Sequence, residues 1–190
     1  MAASHTDLPL MTVVEGAFTA GECAQVVAAG SALPLTPGKV NDPKATDGVA
    51  GARAVGVGAM PLEPAYGWIY ERMVNRAMGV NEQSFGFEVE QAETIQFLAY
   101  GPGEHYDWHV DIGTDEMALR KVSIIAFLSE PSDYEGGELE FLFGDQPSVA
   151  PKRQGNLVIF PSFVLHRVRP IAQGRRFSLA LWLRGARPFR

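Results

Sequence analysis

The stretch Arg176-Phe-Ser-Leu-Ala-Leu-Trp-Leu183 decides the fold. In an extended chain successive side chains point to opposite faces. Phe177, Leu179, Leu181 and Leu183 therefore share one apolar face, while Arg176, Ser178, Ala180 and Trp182 share the other. A strand of this kind belongs in a sheet with apolar cover on one side and a polar-lined interior on the other. The run Thr94-Ile-Gln-Phe-Leu-Ala-Tyr100 repeats the pattern, with Thr94, Gln96, Leu98 and Tyr100 opposite Ile95, Phe97 and Ala99. With the apolar faces resting on helices, the other faces converge on an interior pocket, the usual geometry of a binding site.

Working outward, the C-terminal half reads as short strands separated by Gly and Pro. Strands are expected at Phe85–Val89, Glu93–Tyr100, Tyr106–Ile112, Val122–Leu128, Glu138–Phe143, Asn156–Phe160, His166–Pro170 and Arg176–Leu183. The N-terminal part differs. Met11–Phe18 is apolar and strand-like, and Thr19-Ala-Gly-Glu22 is a capping box opening a helix that should stop at Gly30. Pro61-Leu-Glu-Pro64 opens a second helix whose Ala65, Trp68, Ile69, Met73 and Ala77 form one apolar face, with Gly79 as its end. Pro37–Ala52, rich in turn formers, is a surface loop, either a lid or a connection. The expected fold is mainly β with flanking helices: a double-stranded β-helix (jelly roll, cupin-like) with the N-terminal helices packed on one sheet. Residues 1–10 read as a flexible terminus and 11–190 as one domain, with helical support over 11–80 and the jelly-roll core over 85–185.

Composition bounds the function. The chain has 190 residues, 46% hydrophobic and 20% charged, enough to bury a core. A net charge of -6 and no dense basic block argue against nucleic acid or an anionic membrane as partner. Cys23 is the only cysteine, which excludes an internal disulfide and a cysteine-rich zinc site. No leader pattern and no long apolar span is visible, so a cytoplasmic protein is expected, monomeric or weakly dimeric.

Four histidines are present: His5, His105, His109 and His166. On a strand, His109 and Asp111 of His109-Val-Asp111 share a face. His166 follows a strand ending at Phe160-Pro161, and Arg176 stands ten residues later. Two histidines and one carboxylate are the donor set of mononuclear non-haem iron oxygenases. If the Arg176 face looks into the interior, its charge needs an anion and its planar fork suits a carboxylate; on a solvated edge it needs none. His105 and Asp107 form a second such pair on the same alternation, so the register is open on spacing alone. A cupin-like module that holds a metal or small ligand without turnover is the competing reading, and metal-assisted hydrolysis in the same barrel a third.

The ordered runs Gln96-Phe-Leu-Ala-Tyr100 through His109-Val-Asp111, Tyr134-Glu-Gly-Gly137, Gly155-Asn-Leu-Val-Ile-Phe160-Pro161, His166-Arg-Val-Arg-Pro170 and Gly174-Arg-Arg176-Phe-Ser178 resemble the 2-oxoglutarate- and Fe(II)-dependent oxygenases. The prolyl 4-hydroxylase-like branch and its bacterial PKHD-type hydroxylases look nearest. The resemblance implies His109, Asp111 and His166 as the iron ligands and catalytic centre. It implies Arg176, Ser178, Tyr100 and Gln96 as residues binding 2-oxoglutarate. Fe(II), 2-oxoglutarate and O₂ are the implied cofactor and co-substrates, with ascorbate as an optional reductant. The implied activity hydroxylates an aliphatic C–H of an amino acid, a peptidyl residue or a small metabolite, releasing succinate and CO₂. Collagen-type relatives carry lysine where Arg176 stands, which points to the bacterial branch.

Overall fold

The computed structural model describes residues 10–38 and 52–189. The terminus expected to be flexible lies almost wholly outside the described residues, as does most of the Pro37–Ala52 loop.

The chain begins with β1 (Thr12–Val14), α1 (Ala20–Ser31), β2 (Thr36–Pro37), β3 (Arg53–Ala54), β4 (Gly56–Met60) and α2 (Gly67–Val80). Thereafter it is almost entirely strand: β5 (Gln91–Ala92), β6 (Ile95–Tyr100), β7 (His105–His109), β8 (Arg120–Phe127), β9 (Tyr134–Gly136), β10 (Leu139–Leu142), β11 (Pro147–Val149), β12 (Leu157–Pro161), β13 (His166–Val168), β14 (Ile171–Gly174) and β15 (Arg176–Arg184). Among the described residues the larger sheet has the order β1-β12-β8-β15-β6-β4-β2, with β5 also on β15, and the smaller has the order β11-β10-β13-β7-β3. The strands β6, β8, β12 and β15 lie in the first sheet and β7, β10 and β13 in the second, so the chain swings between sheets as it advances. That winding is the double-stranded β-helix expected from the strand pattern.

The alternation read from β6 and β15 places two apolar layers. Ile95, Phe97, Leu179, Leu181 and Leu183 pack with Ile124 of β8 against Ile69 and Met73 of α2 and Val26 of α1. Leu98, Tyr100, Ala180 and Trp182 face the smaller sheet, where they meet Phe141 and Val168. Each fully buried aliphatic side chain contributes on the order of 1.5–3 kcal/mol. The helices thus brace one face of the larger sheet, and the site lies on the other. Tyr70 ties them to it: its hydroxyl donates to Met60 O at 2.7 Å and accepts from Ile95 N at 2.8 Å.

Several local expectations are corrected. The Thr19 capping box forms, but Gly30 does not end α1, which continues to Ser31. A Cβ on Gly30 would lie 2.2 Å from the Phe97 ring, so glycine serves close helix–sheet approach there. Pro61–Tyr66 is turn, α2 starts at Gly67 and passes through Gly79, and a π-helical turn Asn81–Phe85 closes on Gly86 at φ 67°. That turn takes Phe85 out of the expected strand, and Gly86 to Glu90 form no ladder. A left-handed glycine ends the segment two turns later than Gly79 would have done.

Candidate active site

The smaller sheet presents its histidines through an irregularity that spacing could not reveal. Against β13, His109 pairs with His166 and Tyr106 with Val168, so two residues of β7, Asp107 and Trp108, oppose the single Arg167. This is a β-bulge, and it bends strict alternation. Tyr106 and His109, three apart, consequently both face the interior. Their rings stack at 3.4 Å between centroids and 14°. The Arg53 guanidinium in turn lies 4.6 Å from the Tyr106 ring centre. Outside, Arg167 covers Trp108 at 4.5 Å.

The bulge also resolves the doubled His-x-Asp. Asp107 is exposed and its carboxylate accepts from Trp108 N at 2.8 Å, while His105 Nδ1 bonds Gly103 O at 3.1 Å. Neither residue lines the interior cavity. β7 ends at His109, so Asp111 is not on the strand as expected. Its N–H donates to Ser162 O at 2.9 Å, and this turn returns the carboxylate to the histidines.

His109, Asp111 and His166 offer ligand atoms that all lie within 4.8 Å of one another. Asp111 Oδ1 is 3.7 Å from His109 Nε2, and Oδ2 is 3.6 Å from His166 Nε2. His109 Nδ1 sits 2.7 Å from Asp107 O and His166 Nδ1 2.9 Å from Val164 O. A carbonyl only accepts, so each Nδ1 carries a proton and the neutral ring turns the Nε2 lone pair inward, the arrangement of a metal-binding histidine. Burial, with His166 alongside, pushes the His109 imidazole down to about 3. Ser123 Oγ donates to Asp111 Oδ2 at 2.7 Å and lies 3.0 Å from Ser162 Oγ. This donor set, neutral nitrogens with one anionic oxygen and no thiolate, fits a divalent first-row ion.

The triad opens into a narrow cavity between the two sheets. Arg176, Ser178 and Tyr100 line it with the triad, as do Arg53, Tyr106 and Trp182. Arg176 is 1% exposed, yet only its Nη1 is bonded, donating to Ser178 Oγ at 3.0 Å. Its Nε and Nη2 are buried without any partner. The Tyr100 and Phe127 rings flank the guanidinium at 5.2 and 5.3 Å. Buried polar groups are rarely left unbonded, and a buried charge still less. Two N–H groups aimed at one side form a fork that a carboxylate fits. Gly137 makes room for it: a Cβ there would lie 3.1 Å from Arg176 Cδ and 2.4 Å from Ile171 Cδ1. Burial raises the phenol of Tyr100 and pushes that of Tyr106 up to about 12, so both stay neutral hydrogen-bonding groups.

Gln96 does not line the cavity. Its Oε1 accepts from Arg53 Nη2 at 3.3 Å, and it opens onto a neighbouring cleft with Thr94 and Glu93. Arg53, Ser123 and Arg120 are the residues near the site that pattern reading passed over. Ser123 had a weak signal, a hydroxyl on the inward face of β8 between Lys121 and Ile125. Arg53 opens the run, to about Gly58, that reads as strand after the loop, and nothing in its spacing ties it to the site.

Residues 95–184 match the family model of the 2OG-Fe(II) oxygenase superfamily. A PKHD-type hydroxylase of Herminiimonas arsenicoxydans is 31% identical over 151 residues, covering 75% of this chain and 66% of that protein. One from Picosynechococcus is 38% identical over 90 residues, 47% of this chain and 41% of the relative. The chain thus spans between about two fifths and two thirds of the length of these curated relatives. A Pseudomonas putida prolyl-4-hydroxylase structure superposes with TM-score 0.72 at 24% identity, over 93% of this chain and 92% of that one. A Trichoplax adhaerens prolyl hydroxylase, solved with a hypoxia inducible factor peptide fragment, gives TM-score 0.74 at 15% identity, over 92% and 83%. These two share the fold with it. With the sequence match spanning β6 to β15 and the histidine–aspartate–histidine cluster inside that span, this chain belongs to the 2OG-Fe(II) oxygenase superfamily.

Proposed function

We propose that the protein is a 2-oxoglutarate- and Fe(II)-dependent hydroxylase acting on an aliphatic C–H bond of an amino acid, a peptidyl residue such as proline, or a small metabolite. The carrying observation is Arg176: a buried guanidinium with two unpartnered nitrogens in the same cavity as His109, Asp111 and His166. A metal-storing module has use for the triad but none for that charge. In this reading the triad holds Fe(II), while Arg176 and Ser178 take the distal carboxylate of 2-oxoglutarate and Tyr100 adds a hydrogen bond. Iron would activate O₂, the oxidant, at the expense of 2-oxoglutarate: one oxygen atom would go into the substrate C–H and the other into succinate, and CO₂ would leave.

The chain's own groups bind, orient and exclude water. The Asp107 and Val164 carbonyls fix the tautomers of His109 and His166, and Ser123 holds one carboxylate oxygen of Asp111. Leu98, Ile125, Leu139, Val168 and Ala180 wall the cavity with aliphatic surface. A dry wall of this kind strengthens the Arg176–carboxylate attraction. The test is calorimetric titration of 2-oxoglutarate into Mn(II)-loaded protein, followed by succinate release with Fe(II) and candidate substrates. Binding with release supports the hydroxylase. Metal binding without 2-oxoglutarate binding would favour the storage module.

A further inference from the structure

Because β7 stops at His109, no sheet ladder holds Asp111, and its main chain is held from two sides instead. Its N–H, and that of Ile112, donate to Ser162 O at 2.9 and 3.2 Å. Its carbonyl accepts from Arg120 Nη1 at 3.1 Å. Arg120 cannot swing freely. Its Nε and Nη2 donate to the two carboxylate oxygens of Glu93 at 2.8 and 2.7 Å, with side chains only 12% and 18% exposed. Its flat face lies 4.0 Å from the Trp182 ring centre. Glu93 N donates to Trp182 O at 2.9 Å, which closes a loop from Glu93 through Arg120 and Trp182 back to Glu93.

We propose that Glu93 and Arg120 are the positioning pair of the site, fixing the Asp111 peptide and the Trp182 indole together from outside the cavity. Neither residue lines the cavity, so both act through Asp111 and Trp182. A two-bond fork on Glu93 leaves the remaining guanidinium nitrogen aimed at the carbonyl while the planar face rests on the indole. Lysine has neither the fork nor the face. Releasing the carbonyl lets the peptide turn, and the carboxylate three bonds away turns with it. The inference rests on Asp111 as a metal ligand.

The experiment uses Co(II) as probe on the full chain, with Arg120→Gln and Glu93→Gln compared with the wild type. Arg72→Gln is the control, because Arg72 forms the same kind of two-bond pair with Glu22, at 3.1 and 2.9 Å, on the helical face. Both site variants should weaken Co(II) binding about tenfold or more and change its visible spectrum, in line with partners that orient metal ligands. The control should lose thermal stability alone. In the metal-free protein, amide exchange at Asp111 and Ile112 should quicken in Arg120→Gln and hold steady in the control. Co(II) affinity within about twofold of wild type together with unchanged exchange would overturn the proposal. So would equal affinity loss in the control. A wild type that binds no Co(II), with exchange still accelerated by Arg120→Gln, would sink the metal reading and leave the clamp standing.

Discussion

Replacing Arg176 by methionine should make the ligand-free protein more stable while removing its response to 2-oxoglutarate. In the folded chain Arg176 is buried, with Nε and Nη2 unbonded and one bond to Ser178. An unsatisfied buried donor costs about 1–3 kcal/mol, more when charged. Two such donors are removed, about 2–6 kcal/mol, and the lost Ser178 bond offsets about 1 kcal/mol, so Arg176→Met should gain about 1–5 kcal/mol in urea unfolding without ligand. Hydrogen bonds to a charged partner are worth about 1.5–3 kcal/mol, or about 12- to 160-fold in affinity. At 2-oxoglutarate one hundred times the wild-type Kd, with Mn(II) present, ligand stabilises the wild type by about 2.7 kcal/mol. The variant should retain only about 0.3–1.3 kcal/mol of that. Paired urea titrations with and without 2-oxoglutarate read both numbers. An apo variant destabilised by the ~2–5 kcal/mol of a core truncation, with ligand stabilisation intact, would make Arg176 a packing residue and refute the reasoning.

Three further outcomes are expected. His166→Ala should abolish Co(II) binding and leave the far-ultraviolet circular dichroism unchanged; undiminished affinity would remove His166 from the ligand set. Gly30→Ala should cost about 1–3 kcal/mol in chemical denaturation, because the added methyl meets the Phe97 ring, where an open helix site would gain from alanine. Pairing with Arg72 and the Thr19 N–H pulls the Glu22 carboxyl down from 4.5 to about 2. A depressed folded-state pKa means the Glu22 contribution is complete above about pH 4.5 and lost as pH falls towards 2. The stability gap between wild type and Glu22→Gln should therefore be present at pH 6 and nearly closed at pH 2, and a pH-independent gap would show that the pair is not its source.

Much of the molecule was legible because period-two alternation is a local property. The faces of β6 and β15 followed directly from Ile95 to Tyr100 and from Arg176 to Leu183, and with them the helix-covered and cavity-lining sides. Residue chemistry also carried far: a buried Arg176 demands an anion wherever it sits. Gly30 and Gly79 were less legible, since a glycine that ends a helix and one that admits a phenyl ring look alike without the neighbour.

The sequence by itself determined the donor types, two imidazoles, a carboxylate and a guanidinium, and the strand faces that turn the guanidinium inward. What only the tertiary structure decided is how His109 and Asp111 meet. Alternation alone would put His105, Asp107, His109 and Asp111 on one face, but a bulge against Arg167 and the end of β7 at His109 break it. Tyr106 joins His109 inside, Asp107 is sent to solvent, and the Asp111 carboxylate is returned to the site by Ser162, Ser123 and Arg120. Those partners lie 9 to 51 residues away along the chain, and a bulge is set by the register of the opposing strand, so neither leaves a local trace in the sequence.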